Sequence, residues 1–323
     1  MFHIRTIAPA LLLLAGVSAC TKNEPNPKNL PDTGTYTTLP ATLKAFAAPV
    51  TVVNVDADSG GSYKLPDGIR FLIPKYAFRT PVGDTVHGTV QVTVGQYTDR
   101  SEMIYSNVLT DNTDTSATTS LNSAGAFLFV PTQKGLGLEI HRAAGINPLV
   151  AYLPQKNLLT ANPAMPTAKS YLGYKNPNLI GEVTWVPNPR NLAVSAPDFD
   201  TLAYAFDTVG YHQAAISYNY FTGSATVRFS MSGVDGLDAA NSFLYLLPKG
   251  IRSVVDLGSA SWLRNRTYTV TDKAEATLVG VAVVKGRFYG GTSAVKFENG
   301  RSYGVGLREQ APDSFKVQVQ RVY

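Results

Sequence analysis

Residues 87–94 of this 323-residue chain, HGTVQVTV, carry its clearest alternation of apolar and polar side chains. Val90, Val92 and Val94 would lie on one face of an extended chain, and the threonines and the glutamine would lie on the other. Alternation with a period of two indicates a strand with one buried face. The stretch therefore predicts an amphipathic β-strand and, with it, a β-rich fold.

Shorter segments of the same kind extend from this strand in both directions. Residues 51–55 and 70–73 precede it, and Phe127 and Phe129 repeat the alternation after it. Turn-forming residues recur between these segments at short intervals, which is typical of sandwiches built from antiparallel strands. We predict a first β-sandwich domain over residues 49–142.

A second run of strand-like segments begins at residue 179 and continues to the C-terminus. Its last segment, residues 314–323, places Phe315, Val317 and Val319 on one face of a predicted strand. We predict a second β-sandwich domain, of immunoglobulin-like architecture, over residues 179–323. Residues 143–178 contain five prolines and many asparagines, which predicts an irregular linker between the domains. The predicted fold class is all-β with two sandwich domains.

The N-terminal residues predict export. An apolar run that ends in small residues follows Arg5, and it is too short to span a membrane as a helix. The tetrad Val17-Ser18-Ala19-Cys20 resembles the lipobox of bacterial lipoproteins, in which the cysteine receives lipid and becomes the new N-terminus. Cys20 is the only cysteine, so an intrachain disulfide is excluded. We predict a signal peptide over residues 1–19, and a lipidated Cys20 with a flexible tether over residues 20–48.

The residue after the cysteine bears on the membrane that receives the anchor. In lipoproteins an aspartate there favours retention in the inner membrane, and this chain has Thr21 instead. The resemblance therefore implies an outer-membrane location, and it leaves open whether the protein faces the periplasm or the cell surface.

The first predicted domain also carries a recognisable order of small and apolar residues. They are residues 65–69 (LPDGI), 73–74 (IP), 77–78 (AF), 81–84 (PVGD), 86–90 (VHGTV), 103–104 (MI), Asn107, Thr110 and 120–127 (SLNSAGAF). This order resembles uncharacterised Bacteroidota surface lipoproteins whose first domain is similar to the spectrin-binding β-sandwich of ankyrins and netrin receptors. Glycines at 68, 83 and 88 would then occupy turns or bulges, and Ile73 and Phe78 would belong to the core. Some members of the wider group cleave themselves at a His-Phe-Ser motif, which this chain lacks.

The net charge of +5 lies in the C-terminal part of the chain. Residues 1–142 hold 11 basic and 11 acidic residues, whereas residues 143–323 hold 17 and 12. The basic residues are dispersed singly, without the clustered basic and aromatic residues of a nucleic-acid interface. We predict no nucleic-acid partner and a solvated basic surface.

Motifs for catalysis are sparse. Beyond the signal the histidines are His87, His141 and His212, and none stands in an H-E-x-x-H or H-x-H spacing. The chain has no G-x-S-x-G elbow and no phosphate-binding glycine loop, and Ser293-Ala294-Val295-Lys296 lacks the partner motifs of an S-x-x-K enzyme. We predict no enzyme activity and no cofactor.

Two groups of residues remain as candidate ligand sites. Asp56 with Asp58, and Asp198 with Asp200, are candidate calcium ligands on predicted loops, although aspartate is equally a common turn residue. Asp111 and Asp114 form a third such pair. The best candidate binding cluster is aromatic and comprises Tyr211, Tyr218, Tyr220 and Phe221. Tyr218 and Tyr220 would share one strand face, as in platforms that stack on sugars and peptides, or they would simply be core.

These observations predict a lipid-anchored envelope protein with a non-catalytic structural or interaction role. Its membrane attachment would be Cys20, and its partner an envelope protein or a glycan. One alternative is a glycan- or peptide-binding accessory module of an uptake or adhesion system, which exposed aromatic residues would favour. Another is an envelope hydrolase, which requires one of the three histidines to meet a carboxylate in a pocket.

Overall fold

The computed structural model describes residues 35–47, 49–66, 68–112, 119–142, 147–155, 168–175, 183–190, 194–198, 200–218, 220–258 and 267–322. Contacts within Thr33–Tyr323 tie these residues into one unit. Strands dominate this unit, so the predicted all-β class is confirmed. No helix in the described ranges is long and apolar enough to cross a membrane.

The elements of the first part, up to residue 218, include two short helices. In chain order they are α1 (Leu39–Ala45), β1 (Thr51–Asp56), β2 (Gly61–Lys64), β3 (Arg70–Ile73), β4 (Phe78–Arg79), β5 (Thr89–Tyr97), α2 (Arg100–Ser106), β6 (Asp111–Asn112), β7 (Thr119–Gln133), β8 (Leu136–Gly137), β9 (Glu139–Ile140), β10 (Leu149–Pro154), β11 (Lys169–Lys175), β12 (Val183–Pro187), β13 (Val194–Asp198), β14 (Thr201–Phe206) and β15 (Gly210–Tyr218).

The second part is built from strands and one helix at its end. Its elements are β16 (Ala225–Ser232), β17 (Ser242–Pro248), β18 (Val255–Asp256), β19 (Thr267–Val270), β20 (Glu275–Val284), β21 (Arg287–Lys296), β22 (Ser302–Gly306), β23 (Arg308–Glu309) and α3 (Pro312–Gln320).

Residues 51–218 form two large sheets with one core between them, which we call the first sheet pair, and β4 pairs with β9 in a separate two-stranded sheet. One sheet has the order β1-β5-β7-β15-β11-β12-β6 with β8 added to β7, and the other has the order β13-β14-β10-β3-β2. Phenylalanines from both sheets meet between them. The ring centroids of Phe71 and Phe127 lie 5.3 Å apart, and those of Phe127 and Phe206 lie 5.2 Å apart. The burial of this aromatic core holds the two sheets together.

The strand predicted at residues 87–94 is confirmed as β5. Val90, Val92 and Val94 are all at most 1% exposed and face the core of the first sheet pair. β5 lies between β1 and β7, so its backbone hydrogen bonds are taken on both edges.

The turn and core positions of the resemblance are confirmed individually. Gly68, Gly83 and Gly88 have φ values of 93°, 101° and 72°, a region that residues with a Cβ rarely adopt. Ile73 and Phe78 are buried in the first core. The resemblance to the surface lipoproteins itself stays a prediction.

The prediction of an irregular linker over residues 143–178 is wrong for its described parts. β10 lies between β14 and β3, and β11 lies between β15 and β12, so both are internal strands. β10 alternates between buried and half-buried side chains, as a strand with one core face does. Its prolines, Pro148 and Pro154, stand before it and at its last residue, where they interrupt little of the ladder. Residues 156–167 and 176–182 lie outside the described residues.

The sheets also divide at a different place from the predicted domain boundary. β15 belongs to the predicted second domain, yet it pairs with β7 from Gly210, opposite Phe129, to Tyr218, opposite Ser120. The sheets therefore separate between β15 and β16, and not within residues 143–178.

The strands after residue 224 form the second sheet pair. A sheet of order β19-β16-β22 packs on a sheet of order β18-β17-β20-β21-β23 around a separate apolar core. Phe229 and Phe297 are at the centre of this core, with ring centroids 5.9 Å apart.

A third core joins the two sheet pairs, and we call it the joining layer. It contains residues of α1, α2 and α3 together with residues from both sheet pairs, such as Trp185 of β12 and Val281 of β20. Polar contacts reinforce it, because the buried guanidinium of Arg100 donates to the carbonyls of Pro248, Ile251 and Val322. The joining layer explains why the described residues form one unit.

The strand predicted over residues 314–323 is wrong, because Pro312–Gln320 is the helix α3. Phe315 and Val319, four residues apart, are fully buried in the joining layer, whereas Val317 between them is 44% exposed. Pro312 stands in the first turn, where its missing N–H costs nothing, and Asp313 complements the positive end of the helix. In a segment of nine residues, apolar residues at every second position fit both a strand face and, in part, a helix face.

Candidate functional site

The four predicted aromatic residues do not form one cluster. Tyr211 lies opposite Leu128 near the start of β15, and Tyr218 lies opposite Ser120 at its end. At about 3.3 Å per residue the two tyrosines are about 23 Å apart along the strand.

Tyr218, Tyr220 and Phe221 do stay together, at the boundary between the sheet pairs. The ring centroids of Tyr218 and Tyr220 are 6.2 Å apart, and those of Tyr220 and Phe221 are 5.8 Å apart. β15 ends at Tyr218, so Tyr220 does not share its strand face. Tyr220 is 3% exposed and packs on Phe297, and Tyr218 is 40% exposed. This group is therefore mostly core of the second sheet pair.

Tyr211 lines a groove beside α1, which we call the α1 groove. It has a volume of about 520 Å³ and is bounded by α1, by the end of α2 and by one face of the eight-stranded sheet. Its polar and aromatic lining comprises Lys44, Tyr97, Tyr105, Ser106, Asn107, Lys175, Tyr211 and Phe243, and short apolar side chains complete it. Pockets of this size bind small molecules in many proteins.

Two stacked tyrosines form the floor of the groove. Tyr97 ends β5 and Tyr211 is near the start of β15, and their ring centroids are 6.2 Å apart with an interplanar angle of 29°. Tyr97 is buried, which raises the pKa of its phenol well above the ordinary value of 10, with a smaller contribution from Tyr211. Both features keep the Tyr97 hydroxyl protonated under physiological conditions.

Two strand glycines make room for these rings. A Cβ atom on Gly95 would lie 2.5 Å from the Tyr97 hydroxyl oxygen. A Cβ atom on Gly173, which pairs with Tyr211, would lie 2.7 Å from the Tyr211 Cβ atom and 2.5 Å from a methyl carbon of Val183. A glycine inside a strand commonly marks such a close approach. Gly95 and Gly173, inside their strand segments, were therefore the sequence signal that could have indicated the closely packed tyrosines of the groove.

The charged lining of the groove has one sign. Lys44 and Lys175 are its charged residues in the described part of the chain, and neither forms an ion pair there. The Lys175 ammonium lies 5.7 Å from the Tyr211 ring centroid, within range of a cation–π interaction. The negative charge of Glu102 contributes to the raised pKa of Tyr97. Its carboxylate already accepts the Thr98 N–H at 3.2 Å.

A smaller cavity lies on the other side of Tyr211. It has a volume of about 300 Å³, and its lining includes Glu139, Arg142 and Tyr174. Its charges are already paired, because Glu139 accepts from Arg79 and Arg142 lies 3.7 Å from the carboxylate of Asp207.

His87 and His141 both lie beside Tyr76, whereas His212 is buried elsewhere. His87 lies 2.6 Å from the exposed carboxylate of Asp58, and His141 lies 3.2 Å from the carbonyl of Tyr76. His212 is fully buried, its Nε2 lies 2.9 Å from the carbonyl of Thr208, and burial lowers its pKa to about 3. These placements do not assemble the pocket that the hydrolase alternative requires.

The candidate calcium ligands of the first pair, Asp56 and Asp58, accept hydrogen bonds from residues of their own turn and of the neighbouring loop. The Asp56 carboxylate accepts the Asp58 N–H at 3.0 Å and the Ser59 hydroxyl at 2.8 Å. The Asp58 carboxylate accepts the Gly88 N–H at 2.8 Å as well as contacting His87, and these hydrogen bonds lower its pKa.

The second pair, Asp198 and Asp200, lies at the tight connection between β13 and β14, with Asp198 opposite Thr201. Asp111 begins β6, and Asp114 lies outside the described residues. Within the described ranges no three histidine, cysteine, aspartate or glutamate side chains group as metal ligands.

Cys20 and the whole predicted signal and the tether as far as residue 34 lie outside the described residues. The described part begins at Thr35, beside the turn between β20 and β21, where the Tyr36 N–H donates to the Gly286 carbonyl at 3.0 Å. Comparisons of the chain with protein-family models, with curated protein sequences and with solved structures gave no match.

Proposed function

We propose that the chain is an exported lipoprotein, anchored through Cys20, whose folded part has a non-catalytic interaction role in the cell envelope. The observation that carries this proposal is the tetrad Val17-Ser18-Ala19-Cys20, which ends an apolar run and precedes a stretch rich in proline and asparagine. Each buried CH₂ of an acyl chain contributes about 0.8 kcal/mol to membrane binding, so several chains on one cysteine hold a protein firmly.

In this proposal the two sheet pairs are two β-sandwich modules, with the boundary moved to residues 219–224. The face-to-face sheets of each pair and their separate cores support this interpretation. The resemblance to surface lipoproteins and the residue Thr21 favour the outer membrane as the location.

A second candidate function is a glycan- or peptide-binding module that accompanies an uptake or adhesion system. The α1 groove favours it, because an open cavity with stacked tyrosines, and with two lysines that form no ion pair in the described part of the chain, is suited to a polar ligand. The scattered histidines give the hydrolase alternative no comparable support.

The anchor is tested by expressing the full chain in a lipoprotein-exporting bacterium with radiolabelled palmitate. We expect the label on the wild-type chain, and we expect Cys20→Ala to lose the label and to leave the membrane fraction. Ser18→Ala is the matched control, because it keeps a small residue beside an intact cysteine. An unlabelled wild-type chain, or a Cys20→Ala chain that stays labelled, would refute the anchor.

The leaflet is tested by treating intact cells with a protease that cannot cross the outer membrane. Digestion of the chain in intact cells would place it on the surface, and digestion only after lysis would place it in the periplasm. A purified full chain with a turnover that a point substitution abolishes would overturn the non-catalytic role.

A further inference from the structure

We propose that the α1 groove binds a carboxylate-bearing sugar ring, the uronate of an acidic glycan. The inference rests on the proposed interaction role and names a ligand class for it. Three features of the groove lead to it: an aromatic surface, two lysines that form no ion pair within the described residues, and a matching volume.

The aromatic surface is the half-buried ring of Tyr211. Tyr97 supports this ring from below, and Gly173 lets it lie close to the sheet. A ring held in place by its neighbours offers its face at little entropic cost, and the C–H groups of a sugar pack on such a face.

The cations are Lys44 from α1 and Lys175 from the end of β11. Because neither has an ion pair within the described residues, a carboxylate entering the groove would displace no carboxylate of that part of the chain. Lys175 also lies over the ring of Tyr211, so one ligand could contact the ring and the ammonium together. The neighbouring cavity lacks this property, since its arginine is already paired with Asp207.

One unsatisfied polar atom lies in the wall of the groove. The Ser106 hydroxyl is buried and has no hydrogen-bond partner in the described part of the chain. Buried polar atoms are normally satisfied, but this oxygen has almost no accessible surface, so Lys44, Lys175 and the ring of Tyr211 supply the ligand contacts. The volume of about 520 Å³ lies within the range of roughly 300–1,000 Å³ that small-molecule sites occupy.

The test is calorimetric titration of the purified full chain, kept in mild detergent, with short uronate oligomers. The probes are trimers of galacturonate, of glucuronate and of mannuronate, and their methyl esters are the neutral counterparts. We expect at least one acid to bind and its ester to bind at least tenfold more weakly. This assay does not depend on lipidation or location. Binding can therefore be absent from a lipidated chain, and it can be present in a chain that is not lipidated.

Two lysine variants identify the site. We expect Lys44→Met and Lys175→Met each to weaken binding about tenfold, the typical effect of removing one charge-assisted hydrogen bond. Lys169→Met is the matched control, because Lys169 is exposed at the other end of β11 and should bind like the wild type. Tyr211→Ala should weaken acid and ester alike.

Three results would overturn the proposal. They are the absence of binding to all three acids, equal binding of acid and ester, and a loss in Lys169→Met as large as that in the two groove variants. The lysines are exposed, so their replacement by methionine leaves the fold intact and the test remains decisive if Tyr211→Ala does not fold.

Discussion

Two valine-to-alanine substitutions in α3 test the C-terminal helix and the layer that it completes. Val319 is fully buried in the joining layer, whereas Val317, two residues earlier, is 44% exposed. The same two methyl groups are removed in both variants, so the difference between them reports burial. A strand over residues 314–323 would bury both valines on one face and predict equal effects.

The expected magnitudes follow from burial. Val319→Ala removes two buried methyl groups at about 0.8 kcal/mol each and leaves a small cavity, so we expect it to cost about 2 kcal/mol. Val317→Ala loses roughly half of the free energy gained by burying two methyl groups, because Val317 is half exposed. It regains up to about 0.6 kcal/mol from the higher helix propensity of alanine. We expect that variant to lie within about 0.5 kcal/mol of the wild type.

Hydrogen exchange of the α3 amides and urea unfolding followed by circular dichroism measure these effects. A loss of about 2 kcal/mol corresponds to about 30-fold faster exchange of the protected amides in Val319→Ala. In Val317→Ala the exchange rates and the urea midpoint should match the wild type. Equal losses in the two variants would refute both the helix and its packing on the joining layer.

Three further predictions concern buried groups elsewhere. Arg100→Met removes three hydrogen bonds to carbonyls, of which the Ile251 carbonyl still accepts the Ser253 N–H, and we expect it to lower the free energy of unfolding by about 3 kcal/mol in a urea titration. Gly173→Ala forces a Cβ against Tyr211 and should lower stability by about 1–3 kcal/mol in thermal unfolding. Gly137→Ala, which meets no atom within 4 Å, should be neutral. His212 has a pKa of about 3 when folded and about 6.5 when unfolded, so its stability contribution is complete above pH 6.5 and is lost as the pH falls toward 3. Between pH 7 and pH 5 the wild type should therefore lose about 2 kcal/mol more than His212→Phe, and an equal loss would contradict a buried neutral histidine.

A buried aspartate makes the comparison with His212→Phe necessary. Burial raises the pKa of Asp256 to about 6, so protonation of this group increases the free energy of unfolding as the pH falls. Its effect on the pH dependence of stability is therefore opposite in sign to that of His212. The wild-type curve alone contains both effects. Subtracting the curve of the variant removes the contribution of Asp256, because that residue is present in both proteins.

Local patterns predicted many of the strands, but they missed β10 and β11 and did not indicate which strands pair. Residues 89–94 of β5 alternate in burial as the sequence pattern predicts, whereas residues 94–97 are all buried, which that pattern does not indicate. The position of β10 between β14 and β3 depends on partners before and after it in the chain, which no local pattern specifies. The proline content of residues 143–178 led to the prediction of a linker, although prolines before a strand or at its end interrupt few of its backbone hydrogen bonds.

The groove was predicted only through one of its residues. Tyr211 was a candidate because of its aromatic neighbours in sequence, yet its partner in the structure is Tyr97, from a strand two places away in the sheet. Lys44 comes from a segment predicted as tether, which proves to be the helix α1 with Thr38 as its N-cap. A site assembled from at least four distant segments cannot be recognised from spacing, because its geometry is created by the sheet order.

The place where the predicted tether enters the fold would have a mechanical consequence. Residues 35 and 36 contact the β20–β21 turn of the second sheet pair, and α1 then packs in the joining layer before the first sheet pair begins. A force that pulls on a membrane-bound N-terminus would thus act on the joining layer between the sheet pairs and not on one end of the molecule. Because α1 is also a wall of the groove, tension on the tether and occupancy of the groove would act on the same helix.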